Sequence, residues 1–61
     1  MKAKCLIAAS IDLVVGNIYE VIGTEDVFGR KAYRVIDDSG EDYLYSAKCF
    51  EIVDWQEALK K

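Results

Sequence analysis

The chain contains no proline, so its strongest breaks are four glycines, Gly16, Gly23, Gly29 and Gly40. The longest run between two of them, Arg30 to Ser39, is ten residues. Segments this short suit strands, which average five or six residues, better than packed helices of three turns. With 61 residues, the chain has room for one core, since a domain of this size buries only about 60% of its unfolded surface. Hydrophobic residues at 52% and charged residues at 31% place it among compact chains rather than disordered ones. The sequence defines an architecture more sharply than an activity.

Alternation of polar and apolar residues supplies the strands. Lys2 to Ala8 begins with strict alternation and predicts a first strand with Ala3, Cys5 and Ile7 facing inward and Leu6 outward. Gly16 and Asn17 both tolerate the left-handed conformation and predict a turn into a second strand, Ile18 to Ile22. Gly23 to Gly29 reads as a polar hairpin loop with Val27 and Phe28 near its tip. Lys31 to Ile36 follows as the third strand.

Asp37-Asp38-Ser39-Gly40 is the clearest turn, because Asp and Ser side chains bond nearby amides while Gly takes positive φ. Glu41 to Tyr45 then returns antiparallel as a fourth strand. Ser46 to Cys49 lacks strand periodicity and predicts one helical turn, after which Phe50 to Val53 closes as a fifth strand with Phe50 and Ile52 on one side. Asp54 and Glu57 form a capping-box pair, Lys60 and Lys61 suit a helix C-terminus, and Trp55 and Leu59 share a face. The expectation is a barrel over residues 1–53 with a short C-terminal helix over residues 54–61, docked through that face because two turns are unstable alone. Closure into a barrel follows from the need to bury one face and pair most strand edges.

Two stretches carry a family likeness. Leu13-Val14-Val15-Gly16-Asn17-Ile18-Tyr19-Glu20-Val21 resembles the diverging turn and second strand of SH3 domains. Gly40 through Val53 is similar, without a gap, to the segment running from their distal hairpin through the 3₁₀ turn into the last strand. Lys2 to Cys5, Val15 to Val21, Asp37 to Glu41 and Phe50 to Val53 together resemble the small, uncharacterised SH3-like barrel proteins of bacteria and their phages. The likeness implies an all-β, five-stranded SH3-like barrel with a 3₁₀ turn before the last strand, and brings no activity with it. In SH3 domains that bind proline-rich peptides, a proline and a tyrosine flank that turn and a tryptophan stands on the third strand. Ser46, Cys49 and Tyr33 stand there instead, so those ligand residues are not carried over.

Charge and residue usage narrow the function. Eight basic against 11 acidic residues give a net charge of −3, which opposes a polyanion unless the cations cluster. Histidine is absent, which removes the commonest general base and metal ligand. Cys5 and Cys49 alone do not close a tetrahedral zinc site. No nucleophile, base and orienting group occur together, so the reading is non-enzymatic, without cofactor or metal. The apolar run Cys5 to Ala9 is too short for a signal sequence or membrane span, and the expectation is a cytoplasmic protein with reduced cysteines.

Candidate contacts follow from exposed aromatic and charged positions. If Leu44 packs inward, Tyr43 and Tyr45 lie on the outer face. With Phe28 and Trp55 they make the candidate surface for an unidentified protein partner. Amphipathic tyrosines also cover neighbouring side chains on strands, and Tyr19 and Tyr33 read as core. Arg30, Lys31 and Arg34, with Phe28 nearby, are the alternative, a nucleic-acid contact opposed by Glu25 and Asp26. Asp37, Asp38, Glu41 and Asp42 read as solvent-facing turn acids, since calcium loops need more ligands at fixed spacing. Cys5 and Cys49 read as buried free thiols. The protein is expected as a monomer or a homodimer formed through a strand edge or Trp55.

Overall fold

The computed structural model describes residues 1–54, which form one antiparallel sheet with the spatial order β4-β3-β2-β1-β5. The strands are β1 (Lys2–Cys5), β2 (Ile18–Val27), β3 (Arg30–Ile36), β4 (Asp42–Ser46) and β5 (Phe50–Ile52). A 3₁₀ turn, Ala47–Cys49, joins β4 to β5, and the Ser46 hydroxyl caps it by accepting from the Lys48 amide. The predicted C-terminal helix, with Trp55, lies outside the described residues.

Strand order and this short connection together fix the shape. In a flat five-stranded sheet the two edge strands lie four spacings, about 19 Å, apart. A three-residue connection spans at most about 14 Å even when extended. The sheet therefore curls until its edges approach, and its concave face becomes the core. No ladder joins β4 to β5, however, so the expected closed barrel is not formed. β5 has only three residues, and the 3₁₀ turn lies between it and β4.

The core follows the alternation. Ala3, Cys5, Tyr19, Val21, Val35, Phe50 and Ile52 project to the concave side and are buried, joined by Leu13 from the long β1–β2 loop and Cys49 from the 3₁₀ turn. Tyr19 meets Phe50 edge-on with ring centroids 6.4 Å apart, and Tyr45 lies 5.9 Å from the same ring. Tyr33 is half-buried against this cluster.

Three expectations need correction. Ile7 is exposed, because β1 ends at Cys5 and the amides of both Leu6 and Ile7 turn to the single carbonyl of Cys49. The polar segment after Gly23 is strand rather than loop. β2 skips Ile22 in the register between Val21 and Gly23, and that bulge lets pairing continue to Val27 opposite Arg30. Finally, Leu44 lies on the convex face, and Tyr43 and Tyr45 lie on the face of their ladder partners Val35 and Tyr33, with Tyr45 packed against the core and Tyr43 left exposed. Residues directly opposite in a ladder share a face.

Candidate functional site

The two hairpins around β3 end in turns of opposite character. At the β2–β3 end, Phe28 and Gly29 make a two-residue turn with φ of 51° and 80°. Positive φ at both centres is the type I′ pattern, whose twist matches that of antiparallel strands and which normally selects Asn-Gly. An aromatic side chain in that conformation is uncommon and strained. Phe28 has no compensating contact, for its side chain is fully exposed at 101%.

Beside the tip lies a groove of about 440 Å³. It opens where β3 continues past the end of β4, since Ser46 is opposite Ala32 and leaves Arg30 and Lys31 without a β4 neighbour. Val27, Ala32 and Leu44 supply its apolar wall, and Arg30 and Lys31 its rim. Lys48, on the 3₁₀ turn, flanks an adjoining depression with the same two cations. None of these three makes an ion pair among the described residues, although Asp26 sits opposite Lys31 in the β2–β3 ladder. Arg34, the third member of the predicted basic set, is engaged elsewhere. It bridges Asp42 at 3.0 Å and Glu25 at 3.1 Å on the convex face, and both carboxylates raise its pKa, Asp42 the more.

The β3–β4 end is closed by hydrogen bonds. Asp37 is buried, which corrects the reading of all four turn acids as solvent-facing. Its Oδ1 accepts from the amide and hydroxyl of Ser39, and its Oδ2 accepts from the Tyr45 hydroxyl at 2.6 Å. These donors, Ser39 first and then Tyr45, hold the Asp37 carboxyl below the usual carboxylate range. Tyr45 also contacts the Ser10 hydroxyl at 3.2 Å. Tyr19 donates to Asp38 Oδ2 and accepts from the Val14 amide, each at 2.9 Å, and the Asp38 amide reaches Asp12 O. Turn and β1–β2 loop are thereby tied together through two tyrosine hydroxyls. Burial is the main cause that raises the pKa of both tyrosines, which keeps them as donors.

The predicted aromatic surface is accordingly divided. Tyr45 belongs to the packed network and Phe28 stands alone at the opposite end of β3. Tyr43 is 48% exposed and donates to Glu41 at 2.8 Å. Trp55 lies outside the described residues. What the sequence reading missed is the Asp37–Tyr45–Ser10 chain, signalled locally only by the Asp-x-Ser spacing of its turn.

Other candidates stay structural. Cys5 and Cys49 are buried free thiols as expected, and burial, with a smaller contribution from Cys49, pushes the Cys5 thiol up. Among the described residues no cluster of acidic, cysteine or histidine side chains is arranged to hold a metal ion, and no helix is long and apolar enough to cross a membrane. Comparison with protein-family models, with curated proteins and with solved structures finds no match to the chain.

Proposed function

We propose that the chain is a non-enzymatic, cytoplasmic SH3-like binding module of bacterial or phage type that engages a protein through the β2–β3 hairpin tip. Strand order and the 3₁₀ turn between β4 and β5 are compatible with the SH3-like reading drawn from the sequence likeness. Phe28 is the anchor, inserted into an apolar socket of the partner, with Val27 and the groove wall extending the contact. One observation carries this reading: a fully exposed phenylalanine occupies a left-handed turn position that Asn or Gly fills at lower cost. Strain kept where no internal contact benefits is a mark of an interaction site, and aromatic anchors dominate protein interfaces.

Immobilised wild-type protein and the Phe28→Asn variant, exposed to the same bacterial lysate, test the reading. The wild type retains a stoichiometric protein and the variant does not, while Tyr43→Ala leaves retention nearly intact. Retention that is indifferent to Phe28→Asn overturns the proposal. Nucleic acid in the eluate, lost when Arg30 and Lys31 are both changed to Glu, replaces it with the alternative of a nucleic-acid contact.

A further inference from the structure

The second unpartnered feature is the edge of the sheet. An edge strand exposes a row of backbone donors and acceptors, and soluble proteins guard such rows with lysine, proline, a bulge or extreme shortness. The β5 edge is guarded, having three residues with the exposed Glu51 at its centre. The β4 edge is not. Its sequence Asp-Tyr-Leu-Tyr-Ser has no lysine or proline, and its five residues pair with β3 in unbroken register. Its apolar residues remain accessible, with Tyr43 at 48% and Leu44 at 38%.

Charge is distributed unevenly along the same strand. At its N-terminal end lie the exposed Asp38, Glu41 and Asp42 of the β3–β4 turn. At its C-terminal end lie Arg30, Lys31 and Lys48, cations without an ion pair among the described residues. A molecule with a net charge of −3 thus carries a basic end and an acidic end on either side of one edge that no strand pairs among the described residues.

We propose that the β4 edge pairs antiparallel with the β4 edge of a second copy, giving a twofold dimer with one continuous ten-stranded sheet. A twofold axis centred on Leu44 sets Leu44 against the partner's Leu44 on the convex face. It sets Tyr43 against the partner's Tyr45 on the concave face, and aromatic neighbours across antiparallel strands are stabilising. Antiparallel pairing also brings the acidic turn of each copy beside the basic end of the other, so both charge contacts form at once and the assembly closes. A parallel pair would place acid against acid. The Phe28 tip projects past Ser46 and stays accessible, so this pairing leaves the anchor proposed above free, although Leu44, Arg30 and Lys31 line the groove beside it as well.

Five residues of edge make a small interface, so association is weak, concentration-dependent and salt-sensitive. Sedimentation equilibrium over a concentration series up to about 1 mM, at low and high salt, reads it. Wild-type protein shows a reversible monomer–dimer equilibrium that weakens several-fold at high salt. Leu44→Lys, an exposed change that places a guarding cation on the edge, weakens dimerisation at least tenfold while circular dichroism stays unchanged.

Charge reversal gives a second test that does not touch the edge itself. Protein with Arg30→Glu and Lys31→Glu self-associates poorly, as does Glu41→Lys, and an equimolar mixture of the two forms heterodimer. A strictly monomeric wild type at low salt, a dimer indifferent to Leu44→Lys, or mixtures that show no heterodimer would each overturn the proposal.

Discussion

The β2–β3 tip and the β3–β4 turn join consecutive strands of one sheet, yet they solve the turn problem in opposite ways. The β3–β4 turn uses the residues that turn chemistry favours and adds a buried carboxylate whose oxygens are met by Ser39 and Tyr45. The β2–β3 tip uses a residue that turn chemistry disfavours and surrounds it with solvent. Eight consecutive residues, Thr24 to Lys31, are exposed around that tip. A domain with so small a core cannot afford strain at random. The contrast teaches that one end of β3 is tied into the fold while the other is exposed and strained, which is the basis for proposing a contact there.

Removing the anchor has the largest expected effect. Asp37→Ala strips the shared acceptor from Ser39 and Tyr45 and leaves their donors facing a cavity. The melting temperature should fall by about 10 °C or more, measured by circular dichroism. A fall of only a degree or two would mean that water replaces the carboxylate and that the turn is no anchor. The same residue sets an acid limit. Because folding lowers its pKa, its contribution is present at and above the ordinary carboxylate value of 3.8. It is lost as pH falls below that through the depressed folded value, and Asp37→Asn should flatten this part of the stability profile.

Tyr45→Phe is a milder cut of the same network. It keeps the ring against Phe50 and removes one donor to Asp37 and the contact to Ser10, for an expected loss of about 1 kcal/mol in urea unfolding. The loss should shrink in an Asp37→Asn background, and additivity of the two changes would argue against a shared network. Smallest is Arg34→Ala. Its two ion pairs lie on the exposed convex face, where such pairs contribute little and salt screens them, so unfolding midpoints should barely move.

How much of this the sequence discloses differs between the two ends. Asp37-Asp38-Ser39-Gly40 is legible as a turn because its chemistry is local, and Gly40 does take a positive φ of 85°. The burial of Asp37 is not legible, since Ser10 and Tyr45 come from 27 residues before it and 8 after it and meet only in the folded sheet. Tyr43-Leu44-Tyr45 misleads for a related reason. All three side chains are apolar enough to face a core, and the choice is made by Val35 and Tyr33 across the ladder rather than by the segment itself.

Phe28 is legible as a tip residue from the neighbouring Gly29, whereas its left-handed backbone requires the two-residue turn to be recognised. That recognition fails because β2 runs through Thr24-Glu25-Asp26, a stretch whose composition reads as loop and which becomes strand through the bulge at Ile22. Strand number and order of burial were readable from alternation. Closure was not, because the edge-to-edge distance depends on accumulated curl that no single segment encodes.

The central claim is that Phe28 serves a contact and not the fold, and urea unfolding of Phe28→Asn tests it most directly. Asn at this position completes the Asn-Gly pair that the turn prefers, so the account predicts stabilisation by about 1 kcal/mol, with an unchanged m-value. Destabilisation of similar size would show that the ring supports the hairpin through packing, and would remove the reason for treating the tip as a binding site.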